Sequence, residues 1–190
     1  FQYLYKVNKL IKIKNMFENL LDLVKGNATE AIINNTAVPN EHNDAVINHA
    51  SGSIIESLKS QVAGGNFAEV LSTLGGKSGM ANNPVVSNII SSVSSSIMSK
   101  FGLSQEAAAS VSNGLVPNVM SQLVNKTNDP SDSSFDLGGI FNTLSGGKTQ
   151  GMDFSNLLSG DSNLKDIASK FTGTDASSGI GGMLGNLFGK

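Results

Sequence analysis

Apolar residues return at i, i+3, i+4 and i+7 along almost the whole chain. Only a helix gathers such a spacing onto one side. Phe17, Leu20, Leu21 and Val24 open the series and stop at Gly26, and a second run from Ala28 to Ile33 ends near Asn34-Asn35. Pro39 stands where the first turn of a helix accepts proline. Behind it Val46, Ala50, Ile54, Leu58 and Val62, flanked by Ile47 and Ile55, form a long stripe closed by Gly64-Gly65. Phe67, Val70, Leu71 and Leu74 predict a short helix ending at Gly75-Gly76. Asn83-Pro84 is an N-cap followed by an N1 proline. From it run Val85, Val86, Ile89, Ile90, Val93, Ile97, Met98 and Phe101, with Gly102 as the stop.

The other side of that helix is nearly all serine: Ser87, Ser91, Ser92, Ser94, Ser95 and Ser99. Serine is a mediocre helix former, so packing must hold the element together. Ser104 is expected to cap a helix through Ala107, Ala108 and Val111, broken at Asn113-Gly114. A last helix then carries Leu115, Val116, Val119, Met120, Leu123 and Val124, with Pro117 in its first turn. The fold expected is all-α, a multihelical bundle of five to seven helices over residues 16–126. Its centre is expected at Ile54, Leu58, Ile89, Ile90, Val93, Ile97, Val119, Met120 and Leu123.

After Lys126 the composition shifts. Residues 127–190 hold twelve glycines and the string TNDPSDSS. Such a stretch buries too little apolar surface to offset its chain entropy. It is expected to be a flexible Gly/Ser-rich C-terminal tail of short helices. Its apolar patches are Ile140-Phe141 with Leu144, Phe154 with Leu157-Leu158, Leu164 with Ile167 and Phe171, and Met183-Leu184 with Leu187-Phe188. An internal echo accompanies them. Val70-Leu-Ser-Thr-Leu-Gly-Gly-Lys77 matches Ile140-Phe-Asn-Thr-Leu-Ser-Gly-Gly-Lys148 with one inserted serine, and Phe17-Glu-Asn-Leu-Leu matches Phe154-Ser-Asn-Leu-Leu. Either a short docking helix is repeated or a Gly/Leu-rich tail drifts into similar words. The irregular spacing excludes a solenoid.

Charge divides the chain at its other end. Residues 1–15 carry four lysines and no acid, whereas from Met16 onward nine lysines face fifteen acids. The basic segment reads either as an anion-seeking arm or as translated upstream DNA ahead of a start at Met16-Phe17-Glu18, and the second is the expectation. The chain holds no cysteine, tryptophan or arginine. That excludes disulfides, thiolate metal sites, a cysteine nucleophile and an arginine finger. A mildly acidic, arginine-free body also makes a poor nucleic-acid ligand. No secretory h-region or apolar run of membrane-spanning length appears, and a cytoplasmic bacterial-type protein is expected.

Lys100-Phe-Gly-Leu-Ser104, an alanine-rich turn, and Leu115-Val-Pro-Asn-Val-Met-Ser-Gln-Leu123 resemble the YidB-like family of bacterial proteins, as does Phe135-Asp-Leu-Gly-Gly with the Gly/Leu-rich end. The resemblance spans roughly residues 16–150 and rests on turn and packing signals. It implies a small multihelical fold, no settled activity and no functional residues to carry over.

Several constellations suggest chemistry and are better explained by structure. His42 and His49 lie seven apart on one helix, about 10 Å of rise, too far to share an ion. Ser51-Gly52-Ser53 sits inside a helix and not on the strand-to-helix turn a nucleophile elbow needs. Gly75-Gly76-Lys77-Ser78 imitates the end of a phosphate loop, but Leu71 stands where its first glycine belongs. Leu103 to Val124 has helix-turn-helix spacing, with a second helix almost free of donors. Asp129, Asp132 and Asp136 lack calcium-loop spacing. No catalytic residue, metal site, cofactor or small-molecule substrate is expected.

The last twelve residues, GIGGMLGNLFGK, place Gly181, Gly185 and Gly189 on one side. Ile180, Met183, Leu184, Leu187 and Phe188 become the candidate interaction residues. The function expected is non-enzymatic, a helical binding or self-assembly module whose partner is a protein or a second copy. The alternative is a peripheral membrane or envelope-associated protein that uses this glycine-spaced end.

Overall fold

A computed structural model describes residues 18–132, 135–149 and Phe154. The described residues form six α-helices and no strand: α1 over 18–28, α2 Asn43–Ala63, α3 Phe67–Leu74, α4 Pro84–Phe101, α5 Gln105–Thr127 and α6 Leu137–Leu144. The all-α bundle expected from the periodicity is what the chain builds. Residues 1–15 and the five candidate interaction residues Ile180, Met183, Leu184, Leu187 and Phe188 lie outside the described residues.

The long helices α2, α4 and α5 form the frame, with α4 packed against both of the others. The stripe of α2 is buried as its spacing demands, through Val46, Ile47, Ala50, Ile54, Leu58 and Val62. In α4 the buried line is Val85, Val86, Ile89, Val93 and Ile97. Ile90, expected at the centre, is only half-buried, because it sits at the edge of that stripe. The other eight residues of the expected centre are buried. Across α4 the serine side faces out: Ser87, Ser91, Ser92, Ser95 and Ser99 are exposed, and Met98 among them is 40% exposed. Lys100 is the only charged residue in this helix.

The caps follow the sequence signals. The Asn83 side chain accepts from the backbone N–H of Val85 (2.9 Å) and Val86 (3.3 Å). Ser104 accepts from Ala107 N–H at 3.2 Å. Gly102 ends α4 with φ 65°, a left-handed conformation that costs glycine nothing.

Two expected breaks are absent. Helix α1 runs through Gly26 and continues as a π-helical segment, Thr29–Ile33, ending at Asn34. Helix α5 runs unbroken through Asn113-Gly114 and Pro117, so the two helices expected there are one and there is no helix-turn-helix. Packing outweighs the local penalty at Gly114, where a Cβ would lie 3.4 Å from the Ala31 Cβ. Helix α5 lies closely against the π segment here, with space at Gly114 for a methyl group. Near the proline, the Asn118 side-chain amide donates to the Gly114 carbonyl at 2.9 Å.

The boundary expected at residue 126 does not bound the core. Phe135, Leu137, Ile140, Phe141, Leu144 and Phe154 are buried in the same cluster as α2 to α5.

Candidate functional site

Helices α3 and α6 are one element built twice. Each is eight residues long and buries apolar residues at the first, fourth, fifth and eighth positions: Phe67, Val70, Leu71 and Leu74 in α3, where Thr73 is buried too, and Leu137, Ile140, Phe141 and Leu144 in α6. Each ends in the same reverse turn. Lys77 N–H donates to the Ser72 carbonyl (2.8 Å) and Gly76 N–H to the Thr73 carbonyl (3.1 Å); Gly147 donates to Asn142 (2.7 Å) and Gly146 to Thr143 (3.2 Å). This is a Schellman ending, with Gly76 (φ 70°) and Gly146 (φ 68°) at the left-handed position. Thr73 and Thr143 each donate back to the carbonyl four residues earlier, at 2.8 and 2.9 Å. The echo therefore runs at a constant offset of 70 residues through helix and cap. The serine that looks inserted is Ser145, in the place of Gly75.

Both copies pack against α2 and touch each other through a pair of rings. The Phe67 and Phe141 rings meet edge-on at 5.1 Å, and Phe154 stacks on Phe141 at 5.7 Å. The end of α3 is tied down by α5: Thr127 Oγ1 donates to the Leu74 carbonyl at 2.6 Å, and the Asn128 amide reaches the same oxygen at 3.2 Å. At the matching end of α6 the chain turns into 145–149, where the Ser145 and Thr149 hydroxyls pair at 3.3 Å. The start of α6 is capped by Asp136, which accepts from Gly139 N–H at 2.7 Å. A Cβ at Gly138 would make ordinary 3.4 Å contacts with the Asp136 carboxylate and the Phe154 ring, whereas one at Gly139 would crowd the Asp136 carboxylate at 3.1 Å. One cost is visible: the Asn142 Oδ1 is buried without a hydrogen-bond partner.

A third copy of this word stands in the candidate interaction segment. Ile180-Gly-Gly-Met-Leu-Gly-Asn-Leu-Phe-Gly189 aligns with Leu137-Gly-Gly-Ile-Phe-Asn-Thr-Leu-Ser-Gly146 without a gap. Ile180, Met183, Leu184 and Leu187 fall on the four buried positions of α6, and Gly189 falls on the left-handed cap. Reading the sequence by glycine spacing along one side missed this match. The signal that finds it is the pattern apolar-x-x-apolar-apolar-x-x-Leu-x-Gly.

The histidines meet elsewhere. His49 Nε2 lies 2.7 Å from Ser96 Oγ, and Ser53 Oγ donates to Ser96 Oγ at 3.0 Å. The His49 ring stands edge-on to Phe101 at 5.5 Å, and His42 is tilted against the same ring at 6.0 Å. Both histidines thus pack around one phenylalanine at the end of α4. A serine hydrogen-bonded to a histidine is the first half of a nucleophile, but among the described residues no carboxylate orients the ring.

The remaining constellations resolve into structural roles. Gly75-Gly76 terminates α3, and Ser72 and Ser78 pair through their hydroxyls at 2.6 Å. The acidic cluster is divided. Asp132 pairs with Lys126 at 2.8 Å, Asp136 caps α6, and Asp129 accepts from the Ser131 hydroxyl and N–H, which hold its carboxyl below the usual range. Among the described residues no group of three His, Cys, Asp or Glu side chains is placed to hold a metal ion. None of their helices is long and apolar enough to cross a membrane. The chain matches no family model, no curated protein and no solved structure.

Proposed function

We propose that this protein is a non-enzymatic helix-docking module, whose frame of α2, α4 and α5 seats short apolar helices supplied by a protein partner or a second copy. The observation that carries the reading is the repeated word. Two eight-residue helices with the same buried apolar positions and the same C-terminal cap both pack against α2, and a third copy of the word remains in the sequence. A module that takes an amphipathic helix into a groove reads anchors at i, i+3, i+4 and i+7, and that is the spacing both seated helices present. The resemblance to the YidB-like family belongs to the same proposal. Its residues, Lys100–Ser104 and Leu115–Leu123, form the α4–α5 corner and the middle of α5, which are packing features of the frame. A cytoplasmic site of action is also part of it, and cell fractionation tests that.

The docking test uses a labelled peptide of residues 136–148 titrated into the full chain. Saturable binding is expected, and it should tighten when Phe141→Ala weakens the resident helix. A peptide carrying Leu137→Asp and Leu144→Asp should not bind. Equal binding of both peptides, or binding of neither to either protein, defeats the reading.

A further inference from the structure

The seat of α6 has a second tenant within the same chain. We infer that residues 179–190 compete with α6 for its place against α2, Phe67 and Phe154. This rests on the helix-docking reading and names the segment and seat it uses.

Two observations select α6 over α3 as the helix being copied. The C-terminal word repeats the Gly138-Gly139 pair of α6 as Gly181-Gly182, whereas α3 has Ala68-Glu69 at those places. Asn142 carries the partnerless buried oxygen, and the copy replaces it with Gly185, which has nothing to leave unsatisfied.

The copy is built to be the weaker tenant. Leu184 stands for Phe141, which gives up the edge contact with Phe67 and the stack on Phe154. Gly179 replaces the Asp136 cap with a poorer one. Most molecules therefore keep α6 in place, and a minority exchange it. Between Phe154 and Ile180 lie 25 residues, ample chain to return to the seat from which Phe154 is already hung. At such a tether length the chain's own segment outcompetes one from another molecule at ordinary protein concentrations. Each exchange frees the apolar side of α6, the same kind of surface that the module seats.

Amide hydrogen exchange on the full chain tests this. Three proteins are compared: the unaltered chain, Leu184→Asp with Leu187→Asp, and Leu184→Phe. Exchange across 137–144 should slow in the doubly charged variant, where the competitor is disabled. It should quicken with Leu184→Phe by roughly 2- to 10-fold, the range an added aromatic edge contact commands. Exchange across 67–74 should be the same in all three, and none of the rates should depend on protein concentration. Identical α6 exchange in the three proteins overturns the inference even if the labelled peptide binds. Acceleration that grows with concentration also overturns it, by moving the competitor to a second molecule.

Discussion

Asn83 holds several parts of the molecule with one side chain. Its oxygen caps α4 through the N–H groups of Val85 and Val86, and its amide donates to Thr73 Oγ1 at 3.1 Å and to the Gly79 carbonyl at 2.9 Å. The cap was legible from Asn83-Pro84; the tie to α3 was not, since no local pattern states which loop returns to a cap. Asn83→Ala loses a helix cap and strands buried partners. It should cost about 2–3 kcal/mol in urea unfolding, more than a cap alone. Ile89 and Ile90 give a sharper comparison. Adjacent isoleucines look alike in sequence, yet one is fully buried and the other only partly buried. Ile89→Ala should cost about 2–5 kcal/mol, and Ile90→Ala distinctly less. Asp129 supplies a pH test. Its carboxyl is held low first by the Ser131 hydroxyl and then by the Ser131 N–H. The associated stabilisation is present above the unfolded carboxyl's pKa and lost as pH falls through the depressed one. Ser131→Ala should move the Asp129 midpoint upward in an NMR titration of the side-chain carbonyl carbon.

Among the elements, α3 and α4 were readable with their boundaries, and α2 with its end, because glycine pairs, an Asn-Pro start and Gly102 agreed with the apolar period. The start of α2 was not, since Pro39 (ψ 131°) precedes a separate 3-10 turn, Asn40–His42, and the α-helix begins at Asn43. The failures were at glycines where the period ran on. Gly26 and Gly114 look like stops in one dimension, but α1 and α5 each bury residues on both sides of them, and that burial outweighs about 1 kcal/mol of helix propensity. Both positions should therefore accept alanine. At Gly26 nothing lies within 4 Å of an added Cβ, and Gly26→Ala should stabilise by about 0.5–1 kcal/mol in thermal or urea unfolding. Gly114→Ala places its methyl in ordinary contact with Ala31 and should be neutral or mildly stabilising. A bulkier Gly114→Leu should destabilise by prising α5 from the π segment. The echo between α3 and α6 was visible as letters. Its meaning, two seated helices with one cap, needed the hydrogen bonds of the turn.

For the whole molecule, the sequence placed the end of the bundle too early. Glycine and serine density after residue 126 is a real compositional shift, yet four apolar residues in eight are enough when a frame already exists to receive them. Ordering a short helix against a finished surface buries Phe141 completely. Phe141→Ala in the full chain should cost about 3–5 kcal/mol, and a chain stopped after Asn128 should lose at least as much and melt several degrees lower. The outer side of α4 has a consequence at this scale too. Ser87, Ser91, Ser92, Ser95 and Ser99 offer solvent hydroxyls on short stems, with no charged side chain until Lys100. Such a surface gives up little rotamer freedom when pressed against another body, and nothing on it repels a like body. Fifteen acids against thirteen lysines leave a formal charge of only −2, so the repulsion that keeps molecules apart rests on a small excess of carboxylates. Colloidal behaviour should therefore be fragile toward mild acid, with turbidity rising as carboxylates are neutralised and before any helix is lost.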